Sequence, residues 1–341
     1  MTTLAPAARR HRIERSTRAS RVALAAIVIV MIGLVTLPRW DGLDDMRAIV
    51  EICYVLALAQ CWNLLAGYAG LVSVGQQAFV GIGGYALFAL TIYGGVPPVL
   101  AVALAGIVAA ILALPTALIV FRLRGAYFAI GTWVVAEVYS GVAGQIHALG
   151  VGTGMSLPVA VSRAVSETRA GRETVLYYIA LVIAAGTVLA VFLWLRSRQG
   201  LALTAIRDSE TAAGSIGVNN DRTKLAVYVL AALATGMAGA LIYLDKLRIA
   251  PDAAFSVVDW TADIIFIVVI GGIGSIEGPF VGAAVFFGLR YLLADYGAWY
   301  MILLGAVAVI IMLLAPRGLW GLIADRYDIH LFPVRRRVRL E

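Results

Sequence analysis

Five carboxylates stand inside or beside apolar stretches, namely Glu51, Glu137, Asp259, Asp263 and Glu277. In a lipid-embedded chain such groups mark ion or proton paths, or the acids of a membrane enzyme. Catalysis would need a nucleophile or a pair of acids placed together, and these five are dispersed with no recognisable catalytic motif, so no catalytic residue is expected. Glu51, Asp259 and Glu277 fall near the ends of apolar runs, where water reaches. Glu137 sits in the middle of "YFAIGTWVVAEVYS", where an unpaired charge is costly, and is expected to face protein or a wet cavity. The lysines are Lys224 and Lys246, and neither closes a G-x-x-x-x-G-K-[ST] phosphate loop, so the chain should not itself bind ATP or another cofactor. His11, His147 and His330 are scattered with no second ligand at i+4, which argues against a metal site. Cys53 and Cys61 share one apolar run, where a thiol behaves as a small hydrophobe and no disulfide framework is implied.

The elements that must carry these groups are membrane helices. Of 341 residues, 62% are hydrophobic and only 14% are charged, and the mean hydropathy is +0.92. That balance leaves too little charged surface to fold in water. Apolar runs recur at residues 22–38, 48–66, 76–94, 98–121, 126–146, 174–195, 225–247, 260–272, 279–295 and 298–315. The fold class expected is therefore all-α, a polytopic inner-membrane protein of about ten spans, with Gly-rich broken or re-entrant elements. The run at 260–272 is too short to cross about 30 Å of hydrocarbon, so it either starts earlier or pairs with the next run as a broken element. The first run follows a basic segment and is succeeded by Pro38, Arg39 and Trp40 with no small-residue cleavage site, so it reads as a retained span rather than a signal peptide.

Basic residues fix the orientation, because positively charged loops are held on the cytoplasmic side. Threading ten spans gathers most of the 27 Lys and Arg on one side. They are Arg9, Arg10, Arg12, Arg15, Arg18 and Arg21; Arg122 and Arg124; Arg196, Arg198, Arg207, Arg222 and Lys224; and Arg317, Arg326, Arg335, Arg336, Arg337 and Arg339. Residues 1–21 then form a cytoplasmic N-terminal tail, 22–315 the transmembrane domain with a cytoplasmic loop at 196–224, and 316–341 a basic C-terminal tail. The net charge of +7 reports this topology and lipid contact rather than a nucleic-acid partner.

The stretch from Asn63 to Leu90, "NLLAGYAGLVSVGQQAFVGIGGYALFAL", is richer in glycine than a helix selected for intrinsic stability. Gly67, Gly70, Gly75, Gly81 and Gly84 allow close backbone approach, and residues 67–77 are polar enough for an unwound turn. Asn63, Ser73, Gln76 and Gln77, with Glu137 and Asp263, are the candidates to line a translocation path. A similar order recurs in "IIFIVVIGGIGSIEGPFVGAAVFF", with Gly271, Gly272 and Gly274 at the break and Phe280-Val281-Gly282 matching Phe79-Val80-Gly81. A duplicated half built on parallel repeats would give this pattern.

One polar island, "AIRDSETAAGSIGVNNDRTK" at 205–224, interrupts the apolar chain. Thr211, Ala212, Ala213 and Gly214 form a small-residue face, Asp208 and Glu210 suit a helix N-terminus, and Gly217 suits its stop. Here the chain resembles the permease subunits of ATP-binding-cassette importers, whose cytoplasmic coupling helix carries Glu-Ala-Ala, three residues, then Gly. Thr211-Ala212-Ala213 and Gly217 keep that spacing, with Glu210 displaced by one. "NLLAGYAGLVSVGQQAFVGIGGYA", "RGAYFAIGTWVVAE", "GLALTAIRDSETAAGSIGVNNDRTKLAVYVLAALATGMAGAL", "VVIGGIGSIEGPFVGAA" and "APRGLWGL" are similar, in order, to the signatures of the M-type permeases of branched-chain amino-acid importers. They cover most of residues 50–322.

The resemblance implies a sister H-type permease, two cytoplasmic ATPases that bind the ATP, and a periplasmic solute-binding protein. It places Asn63, Gly67, Gly70, Ser73, Gly75, Phe79, Gly81 and Tyr85 on the first signature and Arg124, Gly125, Tyr127, Phe128 and Glu137 on the second. Thr261 and Asp263 stand where the family usually has Ser and Glu. The loop "GVGTGMSLP" departs from the family's Thr-Gly-Gly, with Leu149 and Val151 breaking its opening, so the exact solute is not carried over. Without the resemblance, an ion-coupled secondary transporter of small solutes using Glu137 and Asp263, and an autonomous channel, are the other classes these residues allow.

Overall fold

The computed structural model describes residues 11–14, 18–39, 43–293, 299–315, 317–327, 331–332 and 337–340. Most of the basic N-terminal tail (Arg9, Arg10 and Arg15 among it), Trp40, His330, Arg335 and Arg336 lie outside the described residues. The helices are α1 (Arg18–Thr36), α2 (Leu43–Asn63), α3 (Gln76–Ile92), α4 (Pro98–Val120), α5 (Ala126–Gln145), α6 (Val159–Val165), α7 (Arg169–Arg196), α8 (Arg198–Asp208), α9 (Glu210–Ser215), α10 (Asn220–Lys246), α11 (Pro251–Ala254), α12 (Asp263–Gly271), α13 (Gly278–Leu293), α14 (Trp299–Leu314) and α15 (Gly318–Tyr327). Two short ribbons, β1 (His11–Glu14) with β4 (Arg337–Leu340) and β2 (Met155–Ser156) with β3 (Arg248–Ile249), are antiparallel.

Among the described residues, seven helical stretches are long and apolar enough to cross a bilayer, and three apolar ones are shorter: Ala25–Arg39, Gln76–Ile92 and Gly278–Leu293. Ten full-length crossings are therefore not reached by length. Two of the short helices start at glycine breaks, with 17 and 16 residues. At ~1.5 Å per residue they span about 24–26 Å, short of a ~30 Å core. The run expected at 260–272 does start earlier: from α11 at Pro251 to Gly271 it covers 21 residues, with a turn at Phe255 and a π-helical stretch, Val258–Ala262, before α12.

Successive long helices alternate in direction, which sorts the connections onto two ends. One end gathers Arg122, Arg124, Arg196, Arg198, Arg207, Arg222, Lys224 and Arg317, and is called here the basic end. The other carries the β2–β3 ribbon and the 147–168 connection, tied by the Tyr93 hydroxyl donating to the Ala148 carbonyl. Glu173, at that far end, accepts from Arg47 at 2.6 Å and from Arg172 at 3.3 Å.

α10 is the central post and packs most extensively on α4 and α3. Ala101, Ala105, Ala109 and Ala113 are each 0% exposed and Ala117 is 1%, an i, i+4 row that makes one side of α4 almost flat. Gly236 of α10 lies against Ala105, Gly106 and Ala109, while Gly239 lies against the backbone of Val80 on α3. Lipid offers no hydrophobic drive between helices, so small residues that let backbones touch are what hold this seam. α5 is different, because Thr132 and Ala136 are buried whereas Ile130, Trp133, Val134, Val138 and Val142 face outward.

Candidate functional site

The two glycine breaks meet at the basic end. α2 runs into a π-helical turn, Leu64–Tyr68, before the chain leaves the helix, and α12 ends at Gly271 before residues 272–277 lead to α13. Asn63 joins them, its Oδ1 accepting from the Gly274 N–H at 2.8 Å and its Nδ2 donating to the Ser275 carbonyl at 2.7 Å. Gln60, one turn earlier, donates through Nε2 to the Ile276 carbonyl at 2.7 Å. Gly67 and Gly274 pack backbone to backbone. A Cβ at Gly67 would stand 2.5 Å from the Gly274 nitrogen and 2.8 Å from its Cα, and Gly274 itself has φ +78°, so neither position accepts a larger residue without strain.

The pairing has an approximate symmetry. Gln60 precedes Phe79 by the same interval as Thr261 precedes Phe280. Gln60 reaches across to Ile276 just before α13, and Thr261 reaches across to Gln77 at the start of α3, donating to its Oε1 and accepting from its N–H. Both units enter their break toward the basic end and leave in the opposite direction, the arrangement that a parallel duplication produces.

The polar residues expected to line a path are interior to the chain. Asn63 and Gln77 are 0% exposed, Ser73 is 4% and Gln76 is 5%. The Ser73 carbonyl accepts from Trp62 Nε1 at 2.8 Å, and Gln76 Nε2 donates to the Leu58 carbonyl at 2.8 Å. These groups staple the first break to its neighbours. Gln76 Oε1 has no hydrogen-bond partner among the described residues and lies beside a small internal cavity lined by Cys61, Ser73, Tyr228 and Thr235, among others. Glu137, expected to face protein or a wet cavity, is exposed on the outward side of α5, where Trp133 Nε1 donates to it at 3.0 Å. Asp263 is half-buried at the start of α12.

The remaining glycines are positions of close approach. Gly70, at φ +70°, lies against Arg207, Gly75 against the Thr132 backbone, Gly81 against the Phe255 ring and Gly84 against Tyr243. Gly271 sits on the Gly278 backbone, and Gly272 lies beside Arg317.

Beside the breaks stands the polar island. α8 ends at Asp208. Ser209 is extended, and its Oγ accepts from the Ala212 N–H at 3.3 Å, which starts α9 as a separate short helix. Gly217, at φ +86°, ends it with its N–H on the Gly214 carbonyl at 3.1 Å. Ala213 is turned inward and is 1% exposed, while Thr211, Ala212, Gly214 and Ser215 face outward and Ile216 is 76% exposed. Lys224 pairs with Glu210 at 2.7 Å, and Asn220 Nδ2 donates to the Glu210 carbonyl at 2.7 Å, so α9 is fastened to the first turn of α10. Asp208 is exposed and accepts from Arg207.

The residues expected to dock a partner thus lie close together but on no common face, since Asp208 ends α8 and Ala213 points inward. Ala213 belongs to the chain's own packing, and Ile216 is an exposed apolar tip that residue type alone did not mark. Arg207, Gln60 and Ser275 also join the site unannounced. Their partners lie 140 or more residues away in sequence, beyond any local signal.

A family model described as the permease component of branched-chain amino acid transport systems matches residues 46–315. The chain is 27% identical, over 329 residues that make up 90% of it and 76% of the relative, to the high-affinity branched-chain amino acid transport system permease protein LivM of Salmonella typhimurium strain LT2. It is 26% identical over the same extent to the protein of that name from Escherichia coli K12. No solved structure matches.

Proposed function

Because this chain belongs to the family of permease components of branched-chain amino acid transport systems, a non-catalytic multi-pass protein of the bacterial inner membrane, we propose that it is one of two membrane subunits of an ATP-driven importer. The solute is a branched-chain amino acid or a small molecule like it. The observation that carries the reading is α9, a capped helix anchored inward by Ala213 and presenting a small-residue face with Ile216 at its tip. Such a face suits a cleft on another protein, and it stands on the end that the positive-inside rule assigns to the cytoplasm. Partner ATPases would grip it there, with a periplasmic binding protein delivering cargo to the opposite end.

In this mechanism ATP-driven closure of the two ATPases displaces residues 208–217 as a lever, and the rigid helices convert that displacement into alternating access. The solute passes between this chain and a sister H-type permease. The outward side of α5 is the wall that best fits such a path, because Glu137 stands mid-helix there and a carboxylate facing lipid at that depth is costly. Asn63, Ser73, Gln76 and Gln77 then act in holding the break's shape, while Asp263 stands nearer the path's far end.

The test is a mild-detergent purification of the tagged chain from native membranes, with mass spectrometry of what accompanies it. A second permease and ATPase subunits should be recovered, and lost when residues 208–217 are replaced by a Gly/Ser linker. The chain emerging alone in several detergents, yet transporting on an ion gradient that depends on Glu137 or Asp263, would replace the importer with an ion-coupled carrier.

A further inference from the structure

Arg207 stands where the docking helix and both glycine breaks meet. It lies in the last turn of α8, just before the extended Ser209 that begins α9. Its Nη1 donates to the Gly67 carbonyl at 2.9 Å. Gly67 is in the last turn before the chain leaves its helix, where carbonyls lack intrahelical donors and a cation is the favoured neighbour. The Arg207 stem runs along Gly70, its Cγ 3.4 Å from where a Cβ there would lie, and Nη1 is 3.6 Å from the corresponding point on Gly274. Nε and Nη2 both turn to Asp208 Oδ1, at 3.2 and 3.1 Å, which holds the guanidinium plane.

We propose that Arg207 is the positioning residue through which movement of α9 reaches the membrane breaks. α9 and the first turn of α10 move together because Lys224 and Asn220 fasten Glu210. Arg207 transfers that movement to the Gly67 carbonyl, and the Asn63 clamp makes Gly274 and Ser275 follow. Both breaks are therefore driven from one guanidinium. A lysine could still reach the carbonyl but could not also hold the fork on Asp208. The inference rests on the importer reading and assigns a route within it.

The experiment uses the complete complex, permeases with ATPases and binding protein, reconstituted in lipid vesicles with leucine as the probe. Uptake and ATP hydrolysis are measured for Arg207→Gln, Arg207→Lys and, as a control on another basic-end arginine, Arg122→Gln. Arg207→Gln should leave assembly and hydrolysis in place while leucine moved per ATP falls roughly tenfold, with Arg207→Lys intermediate and the control unchanged. A second readout needs no arginine variant. Spin labels at Asp221→Cys, exposed on the first turn of α10 that moves with α9, and at Val72→Cys report whether the break moves when α9 moves on ATP trapping. Leucine per ATP staying within about twofold in Arg207→Gln, or a break that stays still while α9 moves, would overturn the route. Failure of the importer reading looks different, since the unmodified chain would then bring no ATPase with it.

Discussion

Asn63 uses both ends of its amide on one neighbouring loop, with Oδ1 on the Gly274 N–H and Nδ2 on the Ser275 carbonyl. In a dry interior each group left without a partner costs about 1–3 kcal/mol. Asn63→Leu should therefore lower the melting temperature of the purified chain in detergent, because it leaves both the Gly274 N–H and the Ser275 carbonyl without this partner. Equal stability of the leucine variant and the native chain would remove the clamp from the account. The sequence marked Asn63 as a polar residue of consequence inside an apolar run, and that much was legible. Its role was not, because its partner is 211 residues away, and an amide lining a water path looks identical in sequence to one stapling two loops. Glu137 shows the converse. Its mid-helix place was readable, but which side of α5 it occupies depends on Thr132 and Ala136 facing inward.

At the level of single elements, α9 separates what faces the chain from what faces out. Ala213 is buried and Ile216 is exposed, so substitutions at the two should fail in different ways. Ala213→Leu forces extra volume into a packed site, and overpacking costs typically about 1–3 kcal/mol, so yield and melting temperature should fall. Ile216→Glu should leave both nearly unchanged, within about 0.5 kcal/mol, while abolishing co-purification of the ATPases. A stable Ala213→Leu protein together with retained ATPases in Ile216→Glu would mean the docking face lies elsewhere. The helix itself was foreseeable from Glu210 at its start and Gly217 at its end, whereas Asp208, expected beside Glu210, ends α8 instead. The inward turn of Ala213 was not, since six residues give no usable periodicity. Longer elements fared better. Runs of apolar residues located α2, α4, α7 and α10, while Ala25–Arg39 and the glycine-flanked α3 and α13 came out shorter than a full crossing.

Across the whole molecule, the alternation of helices sorts the connections onto two ends, and the proposed orientation puts the basic end in the cytoplasm. That assignment is open to direct labelling. Cys53 and Cys61 are both buried, so the native thiols should react little and added ones can be read cleanly. Thr153→Cys, in the loop leading to β2, should react with a membrane-impermeant maleimide in spheroplasts. Ile216→Cys should react only after the membrane is opened, and the reverse pattern would invert the molecule. The all-α, multi-pass character was legible from hydropathy alone, whereas seven rather than ten of the helical stretches among the described residues are long enough to cross. The meeting of the two breaks was foreshadowed only by the repeated Phe-Val-Gly, because what brings them together is side-chain chemistry between distant segments.

That meeting also sets a timetable for biosynthesis. The clamp from Asn63 closes on a residue 211 positions further along the chain. At a synthesis rate of about 5–20 residues per second, the first break waits roughly ten to forty seconds for its partner. Through that interval Gln60 and Asn63 stand in the membrane with the groups that will satisfy them not yet made, while the Gly67 carbonyl waits for Arg207, 140 positions along. The early helices must be sheltered as an unfinished intermediate, and the last third of the chain to leave the ribosome completes the first.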